Sequence, residues 1–463
     1  MAHKPVKQQT TDLQRKSGTA KVPAQVPDRG TGAKTLCLTM IVKNESKNMV
    51  RLLESLKGVI DFISIVDTGS SDNTRQVIQN WGKKHHIPTT VHTEVWKNFG
   101  YNRTHSVVMA QQTYPQADYL LLSDADFVWE TNGKFDKRLL FENSYLVDQY
   151  NDVIRYANTR LLSSKLAWEC VGVTHEFWRA VDKGNQTFEH TKVTSLVIKD
   201  IGDGGAKGDK FERDERLLRG GLKDPNTPDD IKTRYKFYLA ETLHNIGKYE
   251  ESIVWYTERV KDVGFVEETY YSIYKIGKNH EQIAWHKRHL AGQMANAEKG
   301  AKTTEGTEAV EGTEAPEANV LPVIDPVVIQ RWNPDNLDSS ALTKEGIKNF
   351  DMATNWYRAA TEYRPQRAEA LYALTKMLRT LGLNEQAYKA ADMGRKIPYP
   401  KDDKLFVEHA VYHYLFDYEI SIVAYYIPDK RDEGREACLR LLSGEQVTSE
   451  VRNLTQRNSK FYL

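Results

Sequence analysis

The chain is poor in the features that mark several classes of protein. It has three cysteines, Cys37, Cys170 and Cys438, in 463 residues. Thiols so widely separated cannot build a disulfide framework or a zinc site, and they favour a reducing compartment. No apolar run approaches the length of a spanning helix, which argues against a membrane span. Residues 1–34 are polar and lightly basic, without an apolar core. They read as a disordered tail, neither a secretory signal nor an anchor, and the expected location is cytoplasmic. A surplus of one charge is missing too: 64 Lys and Arg against 63 Asp and Glu leave a net +1. Duplex binding needs a strong basic surplus, so nucleic acid is not expected as the main partner. The remaining composition, 40% hydrophobic and 27% charged, is ordinary for a soluble protein of two or three domains.

In chain order, Leu36–Val42 is a strand candidate, broken by Lys43-Asn44-Glu45-Ser46. Met49, Leu52, Leu53 and Leu56 then share one helix face, and Gly58 is placed to end that helix. Phe62–Val66 is a second strand, closed by Asp67-Thr68-Gly69-Ser70-Ser71-Asp72. Asp72 or Ser71 can cap a helix whose buried side is Val77, Ile78 and Trp81. Thr90–Val95 is a third strand, followed by a helix from about Asn102 to Gln112 and by the strand ending at Asp124. This β-α-β-α-β-α-β order predicts a parallel sheet with helices on both faces. Residues 152–180 read as antiparallel strands closing over one sheet edge, 193–198 as another strand, 200–210 as a Gly-rich loop and 211–222 as a helix.

After Pro225 the pattern is helical. Gly247-Lys248-Tyr249-Glu250-Glu251 has an echo at Gly277 and a fainter one at Gly382, and Ala353, Tyr357, Ala360 and Pro365 form a further half-repeat. These are small, aromatic, small and Pro positions of a tetratricopeptide second helix. Residues 226–463 are therefore expected to form a tetratricopeptide-like domain after an α/β domain at 35–225. The stretch 294–320, poor in large apolar side chains, reads as a disordered insertion.

Tyr119–Leu122 is a short apolar run that ends in Ser123-Asp124-Ala125-Asp126. Residues two apart on a strand project to the same side. Two carboxylates at the mouth of an interior strand would face the crevice where open α/β sheets bind ligands. They repel unless one is protonated or a cation neutralises them, and Mg²⁺ or Mn²⁺ prefers such oxygens. A cation held this way suits a polyphosphate substrate.

Three blocks occur in order, each at a strand end: Leu38-Thr39-Met40-Ile41-Val42-Lys43-Asn44-Glu45, Val66-Asp67-Thr68-Gly69-Ser70-Ser71-Asp72-Asn73-Thr74, and Leu122-Ser123-Asp124-Ala125-Asp126. Together they resemble the family two glycosyltransferases of the GT-A fold, over about residues 35–215. The helical tail is similar to that of a subgroup carrying repeats after the catalytic domain. The resemblance implies a GT-A, Rossmann-like nucleotide-sugar domain followed by an all-α domain. It implies that Thr39, Glu45, Asp67 and Asp124 contact the nucleotide sugar and that Asp126, with Asp124, holds Mn²⁺ or Mg²⁺. Asn98-Phe99-Gly100-Tyr101-Asn102-Arg103 resembles the family's Arg-Asn stretch in reversed order, which makes Arg103 a candidate for phosphate at a helix start. Trp168 followed by Gly172-Val173-Thr174-His175-Glu176 resembles the subgroup's Trp…Gly-x-x-His-Glu segment. Glu176 is then the candidate base, and His175 a metal ligand or acceptor-site residue, with the two roles exchangeable. Related enzymes place a His in the following loop, where this chain offers Asp203 as a replacement metal ligand. Lys210 and Arg213, on one face of a helix start, are candidates for the diphosphate.

These readings point to a metal-dependent hexosyltransferase that moves a sugar from a UDP-sugar to a hydroxyl on a glycan or protein, with inversion implied by the family. The helical domain would bind the acceptor or form a homo-oligomer. The alternatives are a tetratricopeptide adaptor with an inactive sugar-nucleotide domain, and a nucleotidyltransferase, which would release pyrophosphate.

Overall fold

The structure is a computed structural model and describes residues 32–151, 155–181, 191–205, 210–262, 264–301, 344–403 and 405–462. The chain divides into two compact units at Ile231/Lys232.

The first unit is built on β1 (Leu36–Val42), β2 (Phe62–Asp67), β3 (Thr89–Thr93) and β4 (Tyr119–Leu122). β1, β2 and β4 are buried nearly throughout, as parallel strands covered on both faces must be. The remaining strands are β5 (Phe127–Thr131), β6 (Ser144–Tyr150), β7 (Arg155–Ser163) and β10 (Thr191–Asp200), with β8 (Trp168–Val171) and β9 (Phe177–Ala180) apart. Eight strands form one sheet in the order β3-β2-β1-β4-β7-β6-β10-β5. β3, β2, β1 and β4 are mutually parallel, whereas β7 pairs antiparallel with both β4 and β6.

The sheet is therefore mixed, and the strands expected to close its edge are placed differently. β7 extends the sheet directly from β4. β8 instead pairs with β9 in a separate two-stranded ribbon. β5 and β6 were not expected as strands at all.

The helices are α1 (Ser46–Ser55), α2 (Thr74–His85), α3 (Phe99–Thr113) and α4 (Lys210–Lys223). Met49, Leu52 and Leu53 of α1 and Ile78 and Trp81 of α2 join Leu36, Leu38 and Ile63 of the sheet in one core. Val107 and Ala110 of α3 join Cys37, Phe62, Leu120 and Trp168 in a second core on the other face. α3 begins three residues before the expected start, because the Asn98 side chain accepts from Tyr101 N at 2.8 Å and caps it. α1 ends at Ser55, and Gly58, at φ +82°, shapes the turn beyond it.

The second unit is helical: α5 (Asp229–Asn245), which straddles the division, then α6 (Tyr249–Val260), α7 (Val266–Ala301), α8 (Lys344–Tyr363), α9 (Glu369–Thr380), α10 (Asn384–Gly394), α11 (Phe416–Val423), α12 (Arg431–Ser443) and α13 (Ser449–Ser459). Consecutive helices from α6 to α8 and from α9 to α13 pack on one another. Gly247 and Gly382, both near φ +80°, make the turns after α5 and α9. Gly277 makes no turn. It lies inside the 36-residue α7, where an added Cβ would come within 2.8 Å of the Tyr357 ring. Ala353, Tyr357 and Ala360 are fully buried on α8, as their spacing predicts. α7 reaches Ala301, so residues 294–301 of the expected insertion are helical. Residues 302–320 and the expected tail up to residue 31 lie outside the described residues.

Candidate active site

The order of the parallel strands reverses between β1 and β4, and ligands of open α/β sheets bind at such a point. The loop after β1 (43–45), Asp67 at the end of β2, and Asp124 and Asp126 just past β4 meet there. Asp67 is buried; its Oδ1 accepts from Gly69 N at 2.9 Å and Ser70 N at 2.8 Å. Its Oδ2 is buried with no hydrogen-bond partner among the described residues. A buried carboxylate oxygen left this way is costly, so a donor from a ligand is the natural complement.

Asp72 has a structural task. Its oxygens accept from Thr74 N at 3.0 Å and Ser46 N at 3.1 Å, which ties the starts of α2 and α1 together. Burial opposes the charge, but the bonds from Thr74 and Ser46 outweigh it and bring the carboxyl down to about 2. Thr39 is buried mid-strand and donates to the Ser106 carbonyl at 2.9 Å, which fastens β1 to α3 and does not direct the hydroxyl at a nucleotide.

Asp124 is held between two guanidinium groups. Arg103 Nη2 donates to its Oδ1 at 2.7 Å, and Arg160 Nη1 to its Oδ2 at 3.3 Å. Burial pushes the carboxyl up, but both arginines outweigh it and hold it below the ordinary carboxylate range. Arg103 also reaches Glu176 Oε1 with its Nε at 2.7 Å, so one side chain bridges Asp124 and the candidate base. The start of α3 does not serve an anion. Phe99 N and Gly100 N donate to the Val173 and Gly172 carbonyls at 3.2 and 3.0 Å. Gly100 is needed there, since a Cβ would lie 2.2 Å from the Gly172 carbonyl oxygen. The turn that carries Glu176 is thus seated on α3. His175 within it has φ +51°, an uncommon conformation for a residue with a Cβ.

Asp126 follows in the turn after β4, and the loop after β10 lies across it. Ile201 N donates to its carbonyl at 3.1 Å, and a Cβ on Gly204 would sit 3.0 Å from its Oδ2. The loop is fastened at two further points. Both oxygens of Asp203, expected as a metal ligand, are instead taken by Arg51 of α1 at 2.6 and 2.8 Å. Glu45, expected at the nucleotide, accepts from Gly205 N at 2.8 Å and from Asn48 Nδ2 at 2.8 Å.

α4 supplies the remaining groups. Arg213 lies 5.2 Å from the Phe99 ring, on which Arg103 also bears at 6.0 Å. Lys210 is exposed at the start of the helix. Asp214 is buried and accepts from Thr174 Oγ1 at 3.1 Å. Burial raises its carboxyl above the ordinary value despite Arg213, and the nearby Glu176 adds to the rise.

Among the described residues, no cluster of three or more His, Cys, Asp or Glu side chains forms a cage for a metal. The donor set does fit Mg²⁺ or Mn²⁺ in the mode where one or two carboxylates act together with substrate phosphates. Asp126 offers hard oxygen for this and lies within the field of the Arg51 guanidinium, and both oxygens of Asp124 accept from guanidinium groups.

Arg160, Asp214 and Arg51 were not singled out from the sequence. Arg160 precedes Leu161, which pairs with Leu121 of β4, so the register alone carries it to the strand's mouth. Asp214 and Arg51 sit in charged helical stretches that read as solvated faces.

Residues 37–141 match the family described as Glycosyl transferase family 2. The chain carries a glycosyl transferase family 2 domain. The mixed α/β sheet, whose first five strands fall largely within that match, is of the Rossmann-like GT-A type, and a helical region follows it. No curated protein matches the chain significantly. Among solved structures, S. aureus TarS 1–349 aligns at 11% identity over 70% of this chain and 91% of that one, with a TM-score of 0.28. The same fragment in complex with UDP aligns at 13% identity over 53% and 80%, with a TM-score of 0.23. Likeness at these scores carries no weight for function. No helix among the described residues is long and apolar enough to cross a membrane.

Proposed function

We propose that the chain is an inverting glycosyltransferase that moves a sugar from a UDP-sugar to an acceptor hydroxyl on a glycan or protein. The observation that carries this reading is the convergence of Asp67, Asp124, Asp126 and Glu176 at the switch point of a family 2 domain, with Arg103 joining two of them.

Asp67 Oδ2 accepts from the uracil N–H or a ribose hydroxyl, which satisfies its buried oxygen. Asp126, with Asp124 nearby, would hold Mn²⁺ or Mg²⁺; when bound, the cation supplies Lewis-acid stabilisation of the diphosphate leaving group. Arg213 and Lys210 face the leaving phosphates from α4, and His175 borders the acceptor side. Glu176 accepts the proton of the acceptor hydroxyl as its oxygen attacks the anomeric carbon and the bond to UDP breaks. Arg103, 2.7 Å from Glu176 Oε1, holds the carboxylate that takes that proton in place. The helical unit, read as tetratricopeptide-like pairs, presents the acceptor or a second copy of the chain.

The test is release of UDP from a panel of UDP-sugars with Mn²⁺ or with EDTA. Metal-dependent release that disappears in Asp126→Ala and falls about 10²–10⁴-fold for transfer in Glu176→Gln supports the enzyme. Donor binding without turnover would identify the adaptor, and release of pyrophosphate would identify a nucleotidyltransferase.

A further inference from the structure

Arg160 is buried in the site, yet no step above uses it. Three contacts fix its guanidinium. Nη1 donates to Asp124 Oδ2 at 3.3 Å, Nη2 donates to Gln149 Oε1 on β6 at 2.8 Å, and the group lies 4.7 Å from the Phe127 ring. Gln149 is itself buried and reaches Asp200 Oδ2 through its Nε2 at 3.3 Å. The Arg is therefore anchored from β5, β6 and the turn after β4 and does not simply drift onto the nearest carboxylate. Its effect on Asp124 is specific. Arg103 occupies one oxygen and Arg160 the other, so a cation approaching Asp124 meets two positive charges within hydrogen-bond distance of that carboxylate. A surface arginine would be screened and mobile; this one is neither.

We infer that Arg160 is a positioning residue that withdraws Asp124 from cation binding, so that a divalent cation is held through Asp126 and the donor's phosphates and enters together with the nucleotide. This rests on the nucleotide-sugar reading of the site. In functional terms the two acids of the pair are not equivalent. Asp124 orients Arg103, and through it Glu176. Asp126 serves the cation. Order of binding follows: the site is weak for the free ion and strong for the ion with a diphosphate.

The experiment is Mn²⁺ titration of the full chain, by calorimetry or by loss of the free-ion electron paramagnetic resonance signal, without nucleotide and with saturating UDP. The wild type is expected to bind free Mn²⁺ about tenfold or more weakly than in the presence of UDP. Arg160→Met is expected to bind free Mn²⁺ about tenfold more tightly than the wild type, the size typical of outer-sphere effects on metal affinity. Equal affinity of folded Arg160→Met and wild type for the free ion would overturn the inference. So would a wild type whose Mn²⁺ affinity does not change with UDP that is bound. If Arg160→Met fails to fold by circular dichroism, Arg103→Met frees the other Asp124 oxygen and carries the same expectation and the same contrary result. Failure of UDP to bind at all would instead defeat the nucleotide-sugar reading, and the nucleotide-free comparison of variant and wild type would still decide the role of Arg160.

Discussion

Asp214 sits on α4 with its carboxyl buried, accepting from Thr174 and lying close enough to Glu176 to feel its charge. Burial is the largest influence and raises its proton affinity in the folded state, against the pull of Arg213 and Lys210. The consequence for stability has a definite sign. A carboxyl that holds its proton more tightly when folded favours the folded state below the ordinary carboxylate range. That contribution is lost as pH rises through the folded value. Asp214→Asn keeps an acceptor for Thr174 and removes the buried charge. Its resistance to urea should exceed that of the wild type at pH 7, and the difference should shrink as pH falls toward 4. Equal midpoints at pH 7 would mean that Asp214 is well solvated or better paired than its surroundings suggest.

The loop 201–205 shows the same economy at the scale of an element. Its backbone approaches Asp126 so closely that Gly204 has room for hydrogen and little else. In Gly204→Ala the new Cβ must move the Asp126 carboxylate or the loop by a few tenths of an ångström. UDP release and transfer should fall about tenfold, since displacements of this order weaken a positioned site far more than a fold. Gly205→Ala is the control, because there the nearest atom, Glu45 Oε1, is 3.5 Å from the new Cβ. Similar kinetics for the two variants would show that the loop leaves Asp126 when substrate binds. The sequence made some elements readable and others not, for physical reasons. β1, β2 and β4 are apolar on both faces and announce themselves locally, and the Asp pair is contiguous with one of them. β7 is exposed along its first half and buried along its second, so its pattern belongs to no single template. Its place beside β4 is a non-local pairing that periodicity does not encode. Arg160 became visible only with that register, and the Arg51–Asp203 pair only once residues 152 positions apart met. Gly277 misled for a related reason: the same residue that makes a turn at Gly247 here makes room for an aromatic ring.

Over the whole molecule, the two units hold separate cores, and each has its own buried charges to satisfy. In the helical unit one of these is Arg367, which is fully buried. It pairs with Glu369 at 3.0 Å, reaches Asp403 at 3.3 Å, and donates to the Leu405 and Phe406 carbonyls at 3.2 and 3.0 Å. Its guanidinium also lies over the Tyr270 ring at 4.7 Å. One side chain thereby joins α7, the start of α9 and the segment that precedes α11, and holds Phe406 at φ +51°. Removing one member of such a network leaves its carboxylate partners buried and uncompensated, at a cost of about 3–5 kcal/mol. Arg367→Met should therefore lower the thermal transition of the helical unit. Because the first unit's cores and site residues do not include this network, UDP affinity measured well below that transition should stay at the wild-type value. Binding of UDP with Mn²⁺ should in turn raise the transition of the first unit, as any ligand of the native state does. Calorimetry of wild type and variant, each with and without UDP and Mn²⁺, separates the two effects. A parallel loss of nucleotide affinity in Arg367→Met would show that the units fold as one and that the helical array contributes to the donor site.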